Sequence, residues 1–119
     1  LASLSDPLAA YRRPANVPTH DAVAAARDLD AGIAAYRDGR YEAAVAALSS
    51  SAKADPANPI PWYYLGASRW ATGATDAAKG DFEQGATREA ASDMTRRTIS
   101  AAISAIQGAA RDALNAARP

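Results

Sequence analysis

Apolar side chains along this chain recur at three- and four-residue spacing and nowhere alternate regularly with polar ones. Ile99, Ile103, Ile106, Ala110, Leu114 and Ala117 are separated by 4, 3, 4, 4 and 3 residues, a mean of 3.6, which is the period of one face of an α-helix. Valine and isoleucine are too sparse and irregular to supply strands. The spacing predicts an all-α domain whose last helix starts at Ser92 or Asp93 and runs to about residue 118. It is read straight through Gly108, at a cost of about 1 kcal/mol relative to alanine.

Turn residues divide the rest. Thr19 is a suitable N-cap, with Asp21 in the first turn, for a helix that stops at Gly39. A second helix begins near Tyr41 and ends before Asp55-Pro56. A third opens on Pro59 and Pro61, which a first helical turn tolerates, and ends at Gly73. Thr75 caps a fourth that reaches about Glu89, weakened by Gly80 and Gly85 by about 1 kcal/mol each. Residues 1–19 carry three prolines and no long period. There Asp6-Pro7 caps a short turn that sets Leu4, Leu8 and Tyr11 on one side, and Pro14 and Pro18 force an extended path. These residues read as an N-terminal arm on a single domain covering 20–119.

The helices also repeat. Gly32 and Gly66, Tyr36 and Trp70, Gly39 and Gly73, Ala44 and Ala78, and Leu48 and Phe82 are each 34 residues apart. A fixed offset of this size marks stacked helix-turn-helix units. The period and residue types resemble the tetratricopeptide repeat (TPR) family. Trp62, Leu65, Gly66, Gly73, Ala78 and Phe82 match its pattern in one copy, and Gly32, Gly39, Tyr41, Ala44, Leu48 and Pro56 match it in the other. The resemblance implies repeats at about 25–58 and 59–92, followed by a C-terminal helix at about 93–118, as a short α-solenoid. Asp28 stands where the family has tryptophan in the first copy, and Arg69 replaces its usual aromatic in the second. Small Gly66 and Ala78 would let two helices approach, with Trp62, Leu65 and Phe82 filling the space between.

Composition narrows the function. The 119 residues include 13 basic and 13 acidic side chains with no strongly one-signed stretch. Nucleic acid, which calls for a basic stripe to displace counterions, is therefore not an expected partner, and Arg12-Arg13 reads as a solvated patch. No apolar run approaches the roughly 18 residues of a membrane span. With no cysteine, disulfides and thiolate metal sites are excluded. The chain opens at Leu1 without an initiator methionine or an apolar signal core, which leaves a processed N-terminus and a fragment boundary both open.

Catalytic chemistry finds no foothold. His20 is the single histidine and lies at a helix start. Asp28 and Asp30, two residues apart, point to different helix faces. No phosphate loop, metal-ligand cluster or nucleophile motif is present, so no enzyme activity, cofactor or metal is expected. By the resemblance, the first helix of each repeat lines a concave face holding Leu29, Ile33, Tyr36 and Arg37, then Ile60, Tyr63, Ala67 and Trp70, then Met94, Arg97 and Ala101. Trp62 is expected in the packed interior and Trp70 in this groove. Such an apolar, aromatic groove suits a hydrophobic segment, and burial against the chain's own arm or last helix is the competing expectation.

The expected function is a non-catalytic protein-interaction protein. One form is a structural subunit that assembles with copies of itself, head to tail, through repeat stacking and docking of the arm in a neighbour's groove. The other is an adaptor for a hydrophobic peptide of a different protein. An exposed Ala/Ile stripe on the last helix would favour the first. Serine, threonine and alanine on the outer faces suit an extracellular or cell-envelope setting with O-linked glycan, the alternative being cytoplasmic.

Overall fold

A computed structural model describes residues 20–119; the expected arm, Leu4, Leu8 and Tyr11 included, lies outside these residues. Among the described residues there are six helices and no strand: α1 His20–Arg37, α2 Tyr41–Ala54, α3 Pro59–Ala71, α4 Thr75–Ala91, α5 Arg96–Ala102 and α6 Gly108–Ala117. The first four form two helical hairpins, α1 with α2 and α3 with α4, and α2 packs on α3 to join them.

Local chemistry accounts for the boundaries. Gly39 and Gly73 end α1 and α3 with φ of 76° and 90°, a left-handed turn that a Cβ would strain. Asn58 caps α3, its Oδ1 accepting from the Ile60 amide at 3.0 Å, and Pro59 occupies a first-turn position where no amide hydrogen is needed. Within each hairpin a glycine permits close approach. A Cβ at Gly32 would sit 2.5 Å from Leu48 Cγ, and one at Gly66 would collide with the Phe82 ring. The two seats are the same pair of positions 34 residues apart. Gly85 is a third seat, where a Cβ would lie 2.6 Å from Tyr63 Cε1. The expectation that Gly85 only weakens α4 is thus incomplete, because it also makes room for a buried tyrosine.

The C-terminal region departs from the expected single helix. Helix α5 is capped by Thr95, whose side-chain oxygen accepts from the Thr98 amide at 3.1 Å, and it stops at Ala102. The chain then turns through residues 103–107 and re-enters a helix at Gly108, where φ is 72°. The Arg111 guanidinium donates to the carbonyls of Ile103 and Ile106 at 2.9 and 3.2 Å, satisfying groups the break would leave unpaired. The 3.6-residue period survives because the turn keeps its isoleucines inward. Ile99, Ile103, Ile106 and Leu114 are all fully buried, so the expected exposed Ala/Ile stripe does not exist.

One continuous core runs from Ala35, Ala44 and Leu48 through Tyr63, Tyr64 and Phe82 to Ile106 and Leu114. Helix α6 packs on α3 and α4, and α5 lies against α3.

Candidate interaction surface

The residues expected to line one open groove fall into different environments. Leu29, Ile33 and Tyr36 are half-buried along α1. The Tyr36 ring meets Tyr41 and Tyr64 edge-on, with centroids 5.8 and 5.5 Å apart, a favourable aromatic geometry. Ile60 and Tyr63 are buried inside the chain, at 4% and 0% exposure. They offer no surface to a partner, so the expectation is corrected at these two positions. Trp70 is half-buried and lies on Phe82, with centroids 6.4 Å apart. It therefore contributes to packing instead of standing clear in a groove. Met94 and Arg97 are exposed beside the start of α5, and Met94 borders a shallow cavity of about 370 Å³ with Asp55, Asn58 and Arg88. At Ile60 and Tyr63 the chain covers its own face.

What covers it is held by a buried ionic cluster. Glu89 on α4 receives both arms of the Arg118 guanidinium, at 2.9 and 2.7 Å, and the Tyr63 hydroxyl at 2.6 Å. The two charged side chains are only 3% and 5% exposed. Arg118 also donates to Ser100 Oγ at 3.0 Å, tying the C-terminal residues to α5. Burial pushes the Glu89 carboxyl up, but the Arg118 and Tyr63 hydrogen bonds outweigh it and hold its pKa below the ordinary value. Burial, reinforced by Glu89, raises the Tyr63 hydroxyl far above its usual range. A second pair joins α3 to α4, with Arg69 reaching both Asp81 oxygens at 2.8 and 2.7 Å. Here burial wins and the Asp81 pKa is raised despite the guanidinium.

Open surface remains between α2 and α3. A crevice of about 480 Å³ is lined by Ala52, Lys53, Pro56, Trp62, Leu65 and Arg69. Trp62 is half-buried here, not a fully packed interior residue. The Arg88 guanidinium lies 4.9 Å from the centre of its ring, a cation–π contact, and Arg88 Nε donates to the Pro56 carbonyl at 2.9 Å. The floor is apolar and the border is cationic. Arg69 is neutralised by Asp81, whereas Lys53 and Arg88 face no carboxylate among the described residues. The Trp62 indole N–H is buried and, among the described residues, has no acceptor.

No sequence pattern points to this crevice, because Lys53, Trp62 and Arg88 come from three helices and share no local spacing. Arg69 at an aromatic position is the one visible signal, since a cation in a packed column calls for an acidic partner. The described residues contain no cluster of histidine, cysteine, aspartate or glutamate able to hold a metal, and no helix is long and apolar enough to cross a membrane. Comparison with protein-family models, curated proteins and solved structures finds no match to this chain.

Proposed function

We propose that this chain is a short TPR-type α-solenoid acting as a non-catalytic protein-interaction module, and that it holds an extended peptide in the crevice of Trp62. The observation that carries this reading is the crevice itself. Apolar floor and cationic border lie together around a half-buried tryptophan on a surface that the described helices leave open. The matched glycine seats at Gly32 and Gly66 support the solenoid arrangement. A catalytic role has little to draw on, since the buried Glu89 and Asp81 are both committed to guanidinium partners.

A second reading, association with copies of itself, is favoured by α1. No helix among the described residues precedes it, Val23 is 54% exposed, and Leu29 and Ile33 are half-buried. Head-to-tail stacking needs a matching open face at the other end, and burial of the C-terminal isoleucines removes the one expected there. An extracellular or envelope location with O-linked glycan belongs to the same proposal, resting on exposed hydroxyls such as Ser49, Ser50, Thr72 and Thr87; the intact mass of the native protein reads it.

Peptide-display selection against the full chain tests the main reading. Enriched sequences should pair apolar residues with an acidic one and should lose binding to the Lys53→Glu chain. Enrichment indifferent to Lys53→Glu, or no enrichment, overturns it. Light scattering on the eluting protein decides the second reading: a mass that grows with concentration supports it, and a monomer throughout removes it.

A further inference from the structure

Resting on that reading, we infer that Arg69, held in place by Asp81, is the residue that reads the peptide. The crevice takes an extended segment with an apolar side chain on Trp62 and a single carboxylate, roughly two or three residues away, on Arg69. Arg69 differs from the other nearby cations in being fixed. One of its terminal nitrogens donates to both Asp81 oxygens, at 2.8 and 2.7 Å. The Arg69 side chain is 33% exposed and the Asp81 side chain 8%. Asp81 bonds no other side chain among the described residues, so its burial serves to hold the guanidinium. That leaves Arg69 Nε and the other terminal nitrogen, which have no acceptor among the described residues. Their parallel N–H bonds match the two oxygens of a carboxylate, and a planar fork already oriented loses little freedom on gripping it.

Charge and spacing define the occupant. No acidic residue is among those lining the crevice. Lys53 and Arg69 against Asp81 leave one positive charge in excess, which one carboxylate balances. Lys53 is exposed and has no ion-pair partner among the described residues, so it attracts without aiming. Arg88 is spent elsewhere, on the Pro56 carbonyl, on Gln84 and on the Trp62 ring. Trp62 and Arg69 are seven positions apart on α3, about 10.5 Å along the axis, with Leu65 continuing the apolar floor between them. An extended peptide advances about 3.3 Å per residue. Once the reach of the side chains is counted, the interval fits an apolar and an acidic residue separated by two or three positions.

The test uses peptides selected against the full chain and synthesised with both ends blocked, so that no terminal charge takes part. Each is paired with a twin in which the acidic residue is its amide, and isothermal titration at neutral pH gives the ratio of the two affinities. The unsubstituted chain should favour the acid by about tenfold or more. Arg69→Lys keeps the charge but loses the fork, and should remove most of that preference; a change in folding would instead weaken both twins together. Lys53→Gln should lower the preference less, by an amount that high salt removes. Asp81→Asn separates aim from charge: it makes the crevice more positive, yet the preference should fall because the guanidinium is no longer held. In the unsubstituted chain the Arg69 Nε–H resonance should shift with the acid and stay in place with its twin, a readout that needs no variant. A preference that survives Arg69→Lys or rises with Asp81→Asn overturns the inference, as does a set of selected peptides with no fixed apolar-to-acidic interval. Those outcomes leave the peptide crevice standing. A selection that yields no peptide, or only peptides indifferent to Lys53→Glu, overturns the crevice and this inference with it.

Discussion

The two hairpins follow one plan with very different material. In the first, α1 and α2 meet through Ala25, Gly32, Ala35, Ala44, Leu48 and Ala52, and the inter-helix hydrogen bond comes from a serine. In the second, α3 and α4 bury Tyr63, Tyr64, Leu65 and Phe82 and are joined by an ion pair in which one Arg69 nitrogen donates to both Asp81 oxygens. Helices α5 and α6 then cover the second hairpin, while the described residues place no helix outside α1. Close approach of backbones is thus common to both, and side-chain mass and covering are not. Stability should be concentrated at the C-terminal side.

The largest effect expected from this contrast is at the matched seats. Phe82→Ala should cost about 3–5 kcal/mol and Leu48→Ala about 2–5 kcal/mol, with Phe82 the costlier because its ring also supports Trp70 and lines a cavity beside Ala113 and Ala117. Urea unfolding of both variants measures this. Equal losses would mean the two hairpins contribute alike and would end the comparison.

Next comes the clamp that fastens the C-terminal residues. Arg118→Ala leaves Glu89 buried without its counter-ion and should cost about 3 kcal/mol. Glu89→Ala should cost a similar amount, and the double variant clearly less than the sum. Additive losses would show that the pair is not a unit and that α5 and α6 are held by their isoleucines alone.

These residues also mark where the sequence is informative. The two seats were legible because each is a local rule, a small residue facing a bulky one inside a helix-turn-helix, repeated at a fixed offset. Gly39 and Gly73 were legible for the same reason. The break at residues 103–107 was not, since an inward-facing turn keeps the isoleucines on the period a helix would give. Nor was Gly85, whose reason lies in Tyr63, 22 residues earlier. The Glu89–Arg118 pair and the Trp62 crevice depend on positions in different elements that share no local spacing. Periodicity is blind to such pairings, so the groove drawn from helix positions included Ile60 and Tyr63, both of which are buried, Tyr63 with its hydroxyl on Glu89.

A smaller difference should appear in local opening. Among the described residues α1 packs mainly on α2 and more lightly on α3, whereas α3 lies among α1, α2, α4, α5 and α6. Native-state hydrogen exchange should find α1 opening at lower free energy than α3.

The smallest effect concerns the sign of two carboxylates in acid. Glu89 has a folded-state pKa below its ordinary 4.5. Its stabilisation is therefore present above that value and is lost as pH falls through the depressed folded pKa. Asp81 is opposite, because burial lifts its pKa above 3.8 in spite of Arg69. The folded state then binds the proton more tightly than the unfolded one, so the Asp81 contribution is fully present below 3.8 and is lost as pH rises through the raised folded pKa. Glutamine and asparagine substitutions remove each titration while keeping the shape. Subtracting the Glu89→Gln stability from the unsubstituted protein should give a difference that rises with pH in the acidic range. The same subtraction with Asp81→Asn should give one that falls. Two slopes of the same sign would mean that Arg69 outweighs burial at Asp81, and that the α3–α4 pair behaves like the C-terminal clamp instead of contrasting with it.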